Sequence, residues 1–129
     1  MDILEKIKKN ASGMGKHIVL PEGIEERTLR AAAAVRQKRI CRLTLLGNRT
    51  EIRQQADQCK INLEGIQIVE PEESDQYEMF VRNYFEKRKH KGITEKDARN
   101  TVINPLFFGA MMVDSGMADG GVAGALNTT

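Results

Sequence analysis

The feature that most constrains this chain is a rhythm in which short apolar runs alternate with segments of helical spacing or propensity. His17-Ile-Val-Leu20 reads as a buried strand stopped by Pro21-Glu-Gly23. Cys41-Arg-Leu-Thr-Leu-Leu46 reads as a second strand, turned by Gly47-Asn48, and Ile66-Gln-Ile-Val69 as a third. Between them fall an Ala-rich helical stretch over residues 24–38 and a shorter helix after Thr50. Strands this apolar need cover on both faces, and strand–helix alternation supplies it by laying parallel strands between helices. The expectation is an α/β fold with a mostly parallel sheet. In such sheets ligands sit beyond the carboxyl ends of the strands. That rule singles out residues 21–23, residues 47–48 and the loop from Gly120 onward.

The remaining segments read as helices with one last strand. Asp2 caps a first helix whose Ile3, Leu4 and Ile7 share a face. Asp75 opens the longest helix, running to about residue 91 and closed by Gly92. Thr94 restarts a helix, with Asp97 standing where a capping box usually has Glu. Asn104-Pro105 breaks the pattern, and residues 106–115 are apolar on nearly every side, a buried helix ended by Gly116. Residues 119–124 read as a last strand entering a glycine-rich loop. No internal repeat or linker divides the 129 residues, so a single domain is expected.

Charge and cysteine usage exclude several classes. The net charge is only +2, with Lys and Arg interleaved among Asp and Glu, unlike the sustained basic surface that nucleic acid demands. Cys41 and Cys59 fit neither a metal-ligand spacing nor a disulfide framework, which suits a reduced compartment. The amino terminus lacks the apolar core of a signal peptide, and no stretch approaches the ~20 apolar residues of a membrane span. A soluble, cytoplasmic protein without a metal site is expected. His17 and His90 have no partner at catalytic or metal spacing, and no Ser-His-Asp, Cys-His or paired-carboxylate set assembles.

The candidates that remain are anion ligands. Gly120-Gly-Val-Ala-Gly-Ala-Leu-Asn-Thr-Thr129 carries three glycines and then three small polar side chains. Glycine lets backbone approach an anion, and Thr hydroxyls with exposed N–H groups suit phosphate oxygens. The run is neither a Walker A loop nor a G-x-G-x-x-G, and a plain strand-to-helix connection reads equally well. Arg88 ends a stripe of Tyr77, Val81 and Tyr84 on one helix face. A guanidinium there either snorkels to solvent or grips phosphate bidentately. Arg27 and Arg30 lie three apart early in the helix after the first strand, and Arg27 is the better placed for a ligand. Glu22, Glu25 and Glu26 suit the positive start of that helix. Phe107 and Phe108, beside Met111 and Met112, read as core.

Several of these segments resemble the opening of phosphate acetyltransferases (phosphotransacetylases). They are Val19-Leu-Pro-Glu-Gly23 with Glu26-Arg-Thr-Leu29, Leu45-Leu-Gly-Asn48, and Ile68-Val-Glu-Pro71. More specific are Arg88-Lys-His-Lys-Gly92 with Thr94, Asn104-Pro-Leu-Phe-Phe-Gly-Ala-Met-Met-Val113, Ala118-Asp-Gly120 and Gly124-Ala125. They occur in the family's order and spacing over nearly the whole chain. The resemblance implies the interconversion of acetyl-CoA plus phosphate with acetyl phosphate plus CoA. It implies a three-layer α/β/α fold like that of the isocitrate and isopropylmalate dehydrogenases, without their nicotinamide cofactor. A homodimer is implied, with the active site between two domains. Residues 1–129 would be the amino-terminal part, with the carboxyl-terminal domain absent. Arg88 and Arg27 carry over as substrate-binding residues, and Asn127, Thr128 and Thr129 match the start of the phosphate-contacting loop. The catalytic Asp, Ser and Arg are expected downstream of Thr129. No cofactor or metal is implied, CoA being a substrate. Phosphate butyryltransferase, of the same fold and chemistry, is the nearest alternative; a phosphate- or nucleotide-binding domain without catalysis is the next.

Overall fold

A computed structural model describes residues 2–126. Four strands form one parallel sheet: β1 (His17–Leu20), β2 (Arg42–Leu46), β3 (Gln67–Val69) and β4 (Gly120–Gly121), in the order β3-β2-β1-β4. Successive side chains on a strand point to opposite faces, and this alternation sorts the core into two clusters. Leu20, Leu43, Leu45 and Ile68 pack with Leu29, Ala32, Ile52 and Ala56 from α2 (Glu26–Gln37) and α3 (Arg49–Gln58). Val19 and Leu46 pack on the other face with Phe80, Val102, Phe108 and Met112 from α4 (Tyr77–Arg88), α5 (Glu95–Val102) and α6 (Pro105–Asp114). The result is three layers, α/β/α. A side chain such as Leu45, fully buried, contributes about 2 kcal/mol by leaving water.

Local chemistry sets the helix ends. In α1 (Ile3–Ser12), Asp2 Oδ1 accepts the Glu5 N–H at 2.8 Å. Asn48 does the same for Glu51 in α3 at 2.9 Å, and Asn104 accepts from Leu106 at 2.9 Å ahead of Pro105 in α6. Thr94 and Asp97 form the expected reciprocal capping box.

Three expectations need correcting. The longest helix is shorter than residues 75–91. Residues 71–73 form a separate 3-10 turn and Ser74 Oγ binds the Gln76 N–H, which delays the start. At the other end the chain tightens into a second 3-10 turn, Lys89–Lys91, before Gly92 closes it at φ 84°. The last strand spans two residues and not six, because after Val122 donates to the Val19 carbonyl the chain leaves the ladder for a side chain described below. Finally, α6 is apolar all round but buried on one side only. Phe108 packs against Phe80 at 5.0 Å, whereas Phe107 is 43% exposed and meets Tyr84 at 6.1 Å. The apolar side of α1 (Ile3, Leu4, Ile7) is likewise exposed among the described residues.

Among the described residues no helix is long and apolar enough to cross a membrane. No group of three or more His, Cys, Asp or Glu among them is arranged to hold a metal ion.

Candidate functional site

The carboxyl ends of β1 and β2 meet because one residue has no side chain. Gly23 donates its N–H to the Leu46 carbonyl at 3.2 Å, and a Cβ on Gly23 would stand 2.5 Å from that same oxygen. This close approach seats Pro21-Glu22-Gly23 against Gly47 and Asn48. A cleft of about 340 Å³ opens there, walled by Glu22, Asn48, Asn104, Leu106 and Leu126. A larger hollow of about 540 Å³ lies along the outer edge of β3, under Arg53, Ile61 and Leu63, away from these turns.

Glu22 organises this end of the sheet. Its side chain is buried at 4% exposure, and among the described residues three successive backbone N–H groups donate to it. Gly124 and Ala125 reach Oε1 at 2.6 and 3.0 Å, and Leu126 reaches Oε2 at 2.9 Å. Gly124 sits at φ 120°, a conformation open to glycine but rarely to other residues, and the amides after it turn toward the carboxylate. Consecutive N–H groups converging in this way make an anion-binding concavity.

Arg27 closes the same loop from the other side. Its Nη2 donates to the Ala125 carbonyl at 2.5 Å and its Nε to Glu25 Oε1 at 3.0 Å, while the side chain stays 73% exposed. Glu25 is the cap of α2, accepting the Thr28 N–H at 3.0 Å. Partial desolvation pushes its pKa up, but Arg27 and the Thr28 N–H together hold the carboxyl below the usual glutamate range. Of the acidic trio expected at the start of α2, Glu25 and Glu26 are there, and Glu22 serves the loop instead.

Arg88 is elsewhere. It is exposed at the end of α4, next to Lys87, which pairs with Asp114 at 3.4 Å. Asp114 is the last residue of α6, about 15 Å along that helix from the end that borders the cleft. The structure therefore brings Arg27, Glu22 and residues 124–126 together and leaves Arg88 beside the end of α6 that lies away from the cleft. Asn127, Thr128 and Thr129 lie outside the described residues.

Sequence reasoning assigned Glu22 to the start of the helix and missed its contact with the loop. The available signal was a carboxylate wedged between Pro21 and Gly23 directly after an apolar strand, four residues too early for the first turn of α2. It also gave His17 no role. The ring binds the Met117 carbonyl through Nδ1 at 2.9 Å and the Thr44 hydroxyl through Nε2 at 2.7 Å, at the amino end of β1 and away from the cleft.

Comparison with known proteins adds identity to this geometry. A family model described as Phosphate acetyl/butaryl transferase matches residues 2–129. A phosphate acetyltransferase of Thermoanaerobacterium thermosaccharolyticum is 41% identical over 129 residues, covering 100% of this chain and 39% of that protein. One from Acetivibrio thermocellus is 42% identical, covering 100% of this chain and 38% of its own length. The crystal structure of a phosphotransacetylase from Streptococcus pyogenes superposes with a TM-score of 0.90 at 30% identity, covering 100% of this chain and 40% of that one. The chain thus spans about two fifths of the length of these relatives.

Proposed function

The chain belongs to the Phosphate acetyl/butaryl transferase family, and from that membership we propose that the whole protein is a phosphate acetyltransferase, moving an acetyl group between coenzyme A and inorganic phosphate. The observation that carries this reading is the unbroken match. Relatives named phosphate acetyltransferase align over 129 residues, a span that includes the β1–α2 turn and the glycine-rich loop that meet at Glu22 and Arg27.

In this reading acetyl-CoA, CoA, inorganic phosphate and acetyl phosphate are substrates, and no resident cofactor or metal is required. The chain contributes one wall of the site, at the carboxyl ends of the strands. Arg27 stands at its rim, and Asn127, Thr128 and Thr129 serve as further phosphate contacts. Arg88 takes part as an anion contact from a second surface, beside the end of α6 that lies away from the cleft. Forming acetyl phosphate requires a phosphate oxygen to attack the thioester carbonyl and the CoA thiolate to leave. The reverse requires a base to take the thiol proton and donors to hold the carbonyl oxygen as charge builds on it. Those groups are expected beyond residue 129. A homodimer in the bacterial cytoplasm, serving acetate metabolism, completes the proposal.

The test is CoA-dependent release of phosphate from acetyl phosphate, with butyryl phosphate run beside it. The complete protein is expected to turn over the acetyl substrate in preference. The 129-residue chain by itself is expected to show none. A preference for butyryl phosphate would move the assignment within the family, and turnover by the chain alone would contradict the placement of the base.

A further inference from the structure

We propose that the Glu22 carboxylate is a built-in anion that fills the amide cup of residues 124–126. That cup therefore fixes the loop and does not hold substrate phosphate, and Glu22 is a positioning residue of the site. The inference deepens the reading above and rests on it only where phosphate is concerned.

A cup of consecutive N–H groups suits a phosphate oxygen and a carboxylate oxygen equally. Here the occupant is tethered. Glu22 follows β1 directly, and its turn is locked by the Gly23 contact with the Leu46 carbonyl, so its effective concentration at the cup is high. Both carboxylate oxygens are engaged, among the described residues Oε1 by the amides of Gly124 and Ala125 and Oε2 by that of Leu126. An incoming phosphate would have to displace a side chain 4% exposed, taking from a buried carboxylate the three amides that hold it, or sit beside it against like charge. Neither is favourable. Meanwhile Arg27 holds the Ala125 carbonyl, so the same peptide segment is gripped by its N–H and by its C=O. A carboxylate on the donors and a guanidinium on the acceptor make a clamp with both polarities. Its consequence is that these three amides do not supply the phosphate contacts, which fall to other groups of the site.

The experiment follows Gly124, Ala125 and Leu126 by amide NMR in the 129-residue chain, measuring hydrogen exchange and then titrating inorganic phosphate to millimolar concentration. In the wild-type chain the three amides are expected to be protected and their shifts unmoved by phosphate. Glu22→Gln keeps the shape but offers one acceptor oxygen and no charge. Exchange at the three amides should rise by about tenfold or more, the scale of a lost charge-assisted hydrogen bond. Amides of β2 should not change, and phosphate should now shift the loop resonances. Glu22→Asp, which keeps the charge, should restore insensitivity to phosphate, a rescue that packing alone would not produce. Wild-type loop amides that shift with phosphate, or exchange that Glu22→Gln leaves unchanged, would overturn the proposal. If Glu22→Gln fails to fold, the wild-type protection and phosphate titration decide it alone. Failure of the functional reading looks different: the complete protein would lack CoA-dependent turnover while the loop amides still behaved as expected.

Discussion

Two carboxylates tie β4 to β1, one at each end of a ladder only two residue pairs long, Ile18 with Gly120 and Val19 with Gly121. At the amino end, Asp119 Oδ2 accepts the His17 N–H and the Asp119 N–H donates to the His17 carbonyl, both at 2.8 Å. At the carboxyl end, among the described residues, Glu22 gathers the N–H groups of Gly124, Ala125 and Leu126, which no strand pairs. The exposed Asp119 prolongs the sheet by one rung, doing with a side chain what a neighbouring strand would do with its backbone. The buried Glu22 ends the sheet and starts a concavity. The chemistry is the same at both ends, a carboxylate on amides. The outcome differs because one contact follows the strand direction and the other turns across it, at the end where this fold class places ligands.

The change expected to disturb this contrast most is Gly23→Ala. The new Cβ would stand 2.5 Å from the Leu46 carbonyl oxygen and 2.9 Å from Ile52 Cδ1. A backbone oxygen cannot step aside as a side-chain end can, so the turn carrying Glu22 must move. A loss of about 3 kcal/mol in denaturant unfolding is expected, with exchange protection lost at Gly124, Ala125 and Leu126 and kept at His17. Equal loss at His17 would mean that the two ends form one cooperative unit, and the comparison would fail. Glu22→Ala comes next, at about 2 kcal/mol, because it removes a charged acceptor from three donors at once. A penalty no larger than that of truncating Asp119 would erase the distinction between the ends.

The same contrast separates what the sequence disclosed from what it did not. The β1, β2 and β3 runs were legible because their apolar residues are contiguous and bounded by turn residues. The caps at Asp2 and Thr94 were legible because capping is decided within three residues. The Glu22 contact joins residues about a hundred positions apart, and no local pattern encodes it. What the sequence offered was a carboxylate near a helix start, for which the helix dipole was a sufficient account. The short β4 was misjudged for the same reason. Residues 119–124 have strand-like spacing, but the pull of Glu22 takes the chain out of the ladder after Val122. Phe107 was assigned to the core because α6 is apolar on every side, and periodicity cannot say which side of such a helix stays uncovered.

Asp119→Ala should cost about 1 kcal/mol, the worth of an ordinary hydrogen bond. Asp119→Asn should recover most of it, since an amide oxygen can still accept the His17 N–H. Both are read from denaturant midpoints, and loop amides 124–126 should be indifferent to either change. A loop response to Asp119→Ala would couple the two ends through β4 and weaken the claim that they act separately.

A third carboxylate–amide contact sets the lower end of the scale. Asp97 Oδ2 accepts the Thr94 N–H at 2.9 Å while Thr94 Oγ1 accepts the Asp97 N–H at 3.1 Å, all within one exposed helix turn. The bond from the Thr94 backbone, then that from its side chain, holds the Asp97 carboxyl below the usual aspartate range against a small opposing effect of desolvation. A carboxyl depressed in the folded state stabilises the fold while ionised. Its contribution is whole above the unfolded value of about 3.9 and fades as pH falls through the lower folded value. Asp97→Asn should therefore lower the denaturant midpoint slightly at neutral pH, by less than either truncation at β4, and the gap from wild type should close as the medium is acidified below the usual aspartate range. A gap that stayed constant through that acid range would mean that Asp97 acts through its shape and not its charge. Charge would then be the wrong axis on which to rank it beside Asp119 and Glu22, and the number and direction of the amides reaching each carboxylate would be left to explain the difference between them.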